Sequence, residues 1–245
     1  MIDAHCHIMH EQFNQDRHEV LARAKKALDR IVETGGNLEQ NETTLSLRRQ
    51  NKDFVYAAIG LAPHYATTAN AREEFEFIER NAEDAIAIGE IGLEYHYFPE
   101  EKDRERQRQV FREQLILAEK LGLPVVTHCR KAYPDLFLVL KDFPMQKVML
   151  HFFNDAKFAQ EALRRGYYFS ISTLKSKDVD KVIKTAPLNN LLSETDSPYL
   201  WTGGRNEPAN VRFAVERIAE LKAIPLQEVE HALMANASKF FEVSF

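Results

Sequence analysis

Eight short apolar runs alternate with longer amphipathic stretches from one end of this chain to the other, and that alternation narrows the possible folds more than any other feature. The runs cover Ile2 to Ile8, Arg30 to Thr34, Phe54 to Leu61, Ala85 to Leu93, Pro124 to His128, Lys147 to Phe153, Tyr167 to Ser172 and Asn190 to Thr195. Several are rich in Val, Ile and Leu, which suits strands of a parallel sheet buried on both faces. Between them lie helix-like stretches such as Asp103 to Leu121. There Val110, Leu115, Leu117, Ala118 and Leu121 form a one-sided apolar pattern, which Gly122 and Pro124 stop. Strand-helix-strand units take right-handed crossovers and build a parallel sheet, and eight of them favour closure into a TIM (β/α)8 barrel of the α/β class. The chain has 245 residues. A barrel of this kind uses about 250 as one domain, so residues 1–245 are expected to form a single domain. The tail from Asn206 to Phe245 predicts two helices, with Pro208 opening the first and Pro225 separating them.

A hydrophobic share of 44% and a charged share of 28% are ordinary for a soluble globular protein. No apolar run approaches the roughly 20 residues that span a bilayer, so no membrane association is expected. A strand begins at the second residue, leaving no room for a basic and then apolar signal segment, and the expected location is cytoplasmic. Two cysteines, Cys6 and Cys129, rule out a disulfide-stapled fold and a Cys-rich zinc site. Alternation along a strand turns Cys6 away from the face shared by His5 and His7. The formal charge of −5 argues against a protein that coats nucleic acid through a basic surface. It leaves room for an enzyme that holds a phosphate through cations. No segment demands an obligate protein partner.

Residues of metal-ligand type stand at the ends of five of the eight runs. They are Asp3-Ala4-His5-Cys6-His7, Glu90, His128, His151 and Asp196. In an α/β barrel the C-terminal strand ends carry catalytic groups, whereas the opposite rim serves stability. His-x-His on an extended strand presents two imidazoles on one face, near enough for one cation. Glu90 and Asp196 would point into the same mouth, where two carboxylates about 4 Å apart repel by roughly 4 kcal/mol at an effective dielectric of about 20. A divalent cation converts that repulsion into attraction. Four histidines and two carboxylates exceed one closed tetrahedral site but fit two neighbouring ions with open positions. Nitrogen and oxygen donors without thiolates suit zinc, manganese or magnesium. His64 and His96 follow the third and fourth runs and are expected at the rim as substrate contacts, whereas His10, His18 and His231 read as solvated.

With these residues assembled, the chain resembles the TatD family of metal-dependent deoxyribonucleases within the amidohydrolase-like barrel superfamily. The resemblance rests on Ile2-Asp3-Ala4-His5-Cys6-His7, Ile88-Gly89-Glu90-Ile91-Gly92-Leu93, Pro124-Val125-Val126-Thr127-His128-Cys129-Arg130, His151-Phe152-Phe153, Glu194-Thr195-Asp196-Ser197-Pro198-Tyr199-Leu200 and Asn206-Glu207-Pro208. It implies that His5, His7 and Asp196 bind a first metal, that Glu90 bridges, and that His128 and His151 complete a second. Asp3 would orient a histidine through a hydrogen bond. Arg130 resembles a family substrate contact, placed to hold a phosphate oxygen. The chain departs from the family after the third strand, where Gly60-Leu61-Ala62-Pro63-His64 replaces a Gly-x-His-Pro pattern. Glu94 also stands where an aspartate is common, and Asn154-Asp155 where small residues are common.

The implied activity is a deoxyribonuclease that cleaves phosphodiesters, as a 3′-to-5′ exonuclease on single-stranded or frayed DNA. Glu90 and Asp196 are its catalytic carboxylates, and Asp196 is the general base. Tyr65, Tyr95, His96, Tyr97, Phe153 and Trp201 offer faces on which unpaired bases could stack. Lys131, Lys175 and Arg205 are further candidate phosphate contacts. Two other substrate classes stay open: a small amide, lactone or phosphotriester, and RNA or aminoacyl-tRNA esters. A non-catalytic binding protein would show gaps in the ligand set, and there are none.

Overall fold

The computed structural model describes residues 1–144 and 146–245. Its strands are β1 (Ile2–Cys6), β2 (Arg30–Thr34), β3 (Val55–Ile59), β4 (Ala87–Glu94), β5 (Val125–Arg130), β6 (Val148–Leu150), β7 (Tyr168–Ile171) and β8 (Leu191–Ser193). The helices are α1 (Arg17–Ala27), α2 (Leu38–Gln50), α3 (Ala71–Arg80), α4 (Glu101–Leu121), α5 (Tyr133–Leu140), α6 (Ala159–Arg164), α7 (Lys177–Thr185), α8 (Val211–Lys222) and α9 (Leu226–Phe241). The strands pair in sequence order, all parallel, into one eight-stranded sheet. The sheet curls into a TIM barrel that closes between β8 and β1 through Ser193 Oγ, which donates to the Ile2 carbonyl at 2.9 Å.

Local signals set the helix ends. Asn37 and Ser176 accept from the backbone N–H of Gln40 (3.0 Å) and Val179 (3.1 Å), which caps α2 and α7. Gly122 ends α4 in the left-handed region, as the sequence predicts. Pro225 precedes α9, and Pro208 opens a short 3-10 turn ahead of α8. The strands are shorter than the apolar runs. β1 stops before His7, β6 before His151 and β8 before Asp196, so these three residues sit on turns past the sheet.

Inside the barrel, Ile2, Ala4, Val32, Ala58, Ala87, Val126, Met149, Tyr168 and Leu192 form one buried cluster with Phe240 and Phe241 of α9. Every strand contributes to it, and α9 plugs the end opposite the catalytic rim. A larger cluster fills the layer between sheet and helices. In it Phe153 and Phe169 are fully buried, with ring centroids stacked 4.4 Å apart. Phe169→Ala leaves a cavity there and is expected to cost about 3–5 kcal/mol. Denaturant unfolding measures it, and a loss below about 1 kcal/mol means the pair is not a main support of the sheet–helix layer. No helix among the described residues is long and apolar enough to cross a membrane.

Candidate metal centre

The C-terminal rim of the barrel is shaped by backbone that leaves regular pairing. The register of β1 against β2 shifts between Asp3 and Cys6, and that of β4 against β5 shifts between Ile88 and Ile91. Irregularities of this kind re-aim side chains, and these two bracket His5 and Glu90. Gly92 lies at φ +132°, where an added Cβ would stand 2.2 Å from the His128 carbonyl oxygen, so only glycine lets β4 lie this close to β5. Past the strand ends, the N–H of His7 donates to Ser197 O (2.8 Å), that of His151 to Thr127 O (3.1 Å) and that of Asp196 to His5 O (3.0 Å). Asp196 and Phe152 both sit at positive φ, +54° and +44°. For side chains with a Cβ this is costly, and it persists where surrounding bonds over-determine it. Asn206 supplies such bonds at Asp196: its amide donates to Thr195 O (2.9 Å), Tyr199 O (2.8 Å) and Thr173 Oγ1 (2.9 Å).

These turns bring six side chains together. His5 Nε2 and His7 Nε2 are 3.1 Å apart, and Asp196 Oδ1 lies 3.5 Å and 3.2 Å from them. Glu90 faces both ways. Its Oε2 is 3.6 Å from each of His5 and His7, while its Oε1 is 2.8 Å from His128 Nδ1 and 3.8 Å from His151 Nε2. His128 Nδ1 and His151 Nε2 are 3.2 Å apart. All six residues except His128 are buried.

The donor set fits cations. His7 Nδ1 lies 2.7 Å from the Thr34 carbonyl, which only accepts, so Nδ1 carries the proton and Nε2 keeps its lone pair. His128 Nε2 lies 3.0 Å from Glu94 Oε2, so in the neutral ring Nδ1 keeps the lone pair. Both lone pairs therefore face carboxylate oxygens and other imidazole nitrogens, an arrangement that needs positive charge between the atoms. Ligands about 2.1 Å from a tetrahedral cation stand about 3.4 Å apart, close to the 3.1, 3.2 and 3.5 Å among His5, His7 and Asp196.

The electrostatics agree. Burial disfavours the charged form of every group here, yet mutual pairing overrides it. Glu90 is held well below the ordinary carboxylate range by His128, His151 and His5, and Asp196 is pulled down by His5 and His7. The two carboxylates keep His5 well above its usual value, while Glu90 and Glu94 hold His128 at about 9. The rim thus recruits positive charge, as protons or as cations in their place.

Several supporting residues escaped the sequence reading. Glu94, noted only as a departure from the family pattern, is fully buried and backs His128. Its own backbone is clamped by Gln107 of α4, which accepts from Glu94 N (2.8 Å) and donates to Glu94 O (3.3 Å). Gln114, two helical turns on, does the same for Leu61 with bonds of 2.7 and 2.9 Å and steadies the loop that carries His64. Glu33 accepts from Ile8 N (2.8 Å) and Met9 N (2.6 Å), fixing the turn after β1; burial pushes its carboxyl up to about 7. Glu194 accepts from Phe152 N (2.7 Å) and lies 3.7 Å from His151 Nδ1. For Glu33 and Glu194 the available signal was an acidic residue inside an apolar run; for Gln107 and Gln114 it was a polar residue on the apolar face of α4. Asp3 differs from expectation: its carboxylate binds Thr195 N (2.9 Å) and Oγ1 (2.6 Å) rather than an imidazole, because β8 ends beside it.

Five of the six, His5 excepted, line a cavity of about 920 Å³ with His64, Arg130, Lys131, Tyr65, Tyr97 and Tyr199 on its walls. His64 reaches Glu94 at 3.7 Å, and its ring meets that of His128 edge to face at 5.0 Å. The Arg130 guanidinium lies over the Tyr97 ring, 5.0 Å from its centroid. His96 does not belong to this wall, because the Glu94 carboxylate draws in its backbone N–H and leaves the side chain exposed. Arg205 is likewise outside the lining, engaged by Asp16 at 2.5 and 2.8 Å. Tyr95 binds Asp135 (2.7 Å), Phe153 is core, and Trp201 packs on Phe213, so these rings present no free face to the cavity. His10, read as solvated, lines the mouth and bonds Tyr199 Oη at 3.0 Å, while His18 and His231 are exposed as expected. Cys6 faces Val32 O and Glu33, away from the histidines.

Known proteins share this fold over nearly the whole chain. A family model described as TatD related DNase matches residues 2–242. YabD of Bacillus subtilis, described as an uncharacterized metal-dependent hydrolase, is 34% identical over 100% of both chains. The 3′-5′ ssDNA/RNA exonuclease TatD of Erwinia tasmaniensis is 29% identical, covering 99% of this chain and 100% of its own. The crystal structure of YJJV, a TatD homolog from Escherichia coli K12, superposes with a TM-score of 0.91 at 28% identity, over 100% of this chain and 98% of that one. With a family match running almost end to end and the same barrel in a solved relative, this chain belongs to the TatD-related DNase family.

Proposed function

We propose that residues 1–245 form one metal-dependent nuclease domain that removes nucleotides from the 3′ end of single-stranded DNA, with two divalent cations held by His5, His7, Glu90, His128, His151 and Asp196. The observation that carries this reading is Glu90, whose two oxygens serve two separate groups of lone pairs. His5, His7 and Asp196 would hold one cation, His128 and His151 the other, with Glu90 contributing an oxygen to each. Zinc, manganese and magnesium all accept such donors, and the four imidazoles favour the first two. When bound, a cation pair supplies a water acidified to a pKa of about 7 and positive charge for the phosphate oxygens.

The chain's own groups do the rest. Asp196 points Oδ1 at His5 and His7, and Oδ2 takes the proton of the attacking water. Glu94 and the Thr34 carbonyl lock the tautomers of the neutral His128 and His7 rings, so the nitrogen that keeps its lone pair is the one facing the site. Arg130, steadied on Tyr97, grips a phosphate oxygen. Tyr65, Tyr97 and Tyr199 give the unpaired base at a strand end a surface to stack on, which a duplex interior cannot use. A cytoplasmic setting belongs to the same proposal, supported by two cysteines that remain thiols.

A cleavage assay on chelator-treated protein tests this. Adding back zinc, manganese or magnesium is expected to restore shortening of 5′-labelled single-stranded DNA from its 3′ end, with blunt duplex cut at least tenfold more slowly. Cleavage that survives the chelator sinks the metal pair. Faster hydrolysis of RNA, or of simple amides and esters, moves the substrate to that class.

A further inference from the structure

We propose, on the basis of that nuclease reading, that the preferred substrates are short oligonucleotides of about two to four nucleotides rather than long strands. The inference comes from where positive charge is free. Among the described residues, the arginine and lysine side chains lining the cavity are Arg130, the last residue of β5, and Lys131, the residue after it, both exposed. Four carboxylates line it too: Glu90, Glu94, Asp155 and Asp196. Two cations would be consumed by this inner charge and by the phosphate being cut. Lys131, one position farther along the turn than Arg130, then serves the next phosphate.

Beyond that second phosphate, the described residues of the rim form no continuous basic path. Arg205 is committed to Asp16, and Arg17 donates to the carbonyls of Ile8 and Met9 at 2.8 Å each. Arg23 is paired with Glu207 and Arg108 with Glu101, Glu105 and Asp135. Lys157 and Lys175 lie outside the lining, the first beside Asp155, which accepts its backbone N–H at 2.9 Å. A long strand leaving the cavity would therefore run over a surface where these arginines are already paired and the exposed Lys157 and Lys175 stand outside the lining, on a protein with a formal charge of −5. Single-strand binders that engage many nucleotides need the opposite, a positive groove that tracks the backbone. Substrates of this size are products of other nucleases, so the class of reaction upstream is endonucleolytic or exonucleolytic shortening of longer chains.

The test is kcat/KM on the metal-loaded protein for 5′-labelled DNA of two, three, four, eight and twenty nucleotides, at several salt concentrations. The expected result is a maximum at about two to four nucleotides and a decline for the eightmer and the twentymer. Contacts to about two phosphates predict a slope near −1.4 for the logarithm of affinity against that of salt, and Lys131→Gln should make it shallower by about 0.7. A twentymer cut as well as the tetramer or better, or a slope steeper than about −3.5, overturns the inference while leaving the nuclease reading intact. An unchanged slope in Lys131→Gln overturns the role given to that lysine. Hydrolysis of simple esters with no cleavage of any oligonucleotide overturns the nuclease reading itself.

Discussion

Asp196→Asn is expected to lower kcat by about 10³-fold or more while the protein stays folded. The two side chains have the same shape, and the backbone of the turn is held independently by His5 O and by the Asn206 amide, so the fold has little reason to respond. The chemistry does. The carboxylate is kept ionised below its usual range because the hydrogen bonds of His5 and His7 outweigh burial. An amide carries no negative charge, cannot accept the proton of water, and can turn an N–H toward nitrogens that keep their lone pairs. General base catalysis alone accounts for about 10²–10⁴-fold, and a weakened cation site adds to that loss. Single-turnover cleavage and thermal unfolding measure the two halves of the claim. A mutant that digests DNA at the wild-type rate removes Asp196 from the mechanism, and one that fails to fold shows that the turn depends on the charge.

Glu90→Gln is expected to reduce the number of tightly bound divalent cations from two to at most one, with activity falling by a similar 10³-fold or more. Among the described residues, Glu90 is the carboxylate that meets both groups: Oε2 stands with His5 and His7, Oε1 with His128 and His151. Losing one anionic oxygen from each side weakens both. Equilibrium dialysis with elemental analysis reads the stoichiometry without reference to turnover. Unfolding temperature gives a second readout, because a ligand at 100 times its dissociation constant stabilises the native state by about 2.7 kcal/mol. The wild type should gain that increment on adding metal and the variant should lose most of it. Affinity should also fall as pH falls, since protons compete for the same imidazole lone pairs. Two equivalents still bound with undiminished affinity would falsify the sharing of Glu90.

The barrel was legible because its signals are local and repeated. Each apolar run supplies a strand, each amphipathic stretch a helix, and glycine or proline marks several of the breaks between them, so small errors at the ends do not disturb the order of elements. The runs at Lys147 to Phe153 and Asn190 to Thr195 were read too long because apolar and β-branched residues continue past the last paired residue. Nothing in the residue types shows where inter-strand hydrogen bonding stops. His96 and Arg205, expected at the rim, lie outside the cavity lining for a similar reason. A position on the right loop does not say whether the side chain turns inward, and the partners that decide it, Glu94 and Asp16, lie elsewhere in the chain or bind through backbone.

Residue type and order alone thus determined the α/β barrel, its catalytic rim and the six side chains most suited to cations, because hydrophobic periodicity and ligand chemistry are properties of the residues themselves. Only the tertiary structure decided how those side chains face one another. It placed the two register shifts beside His5 and Glu90, the strained turn at Asp196, and the buried partners Glu33, Glu94, Gln107 and Gln114 that hold the loops. Each of these depends on contacts between segments far apart in sequence. Their geometry is set by how eight strands pack into one closed layer, and no short stretch of the chain carries that information.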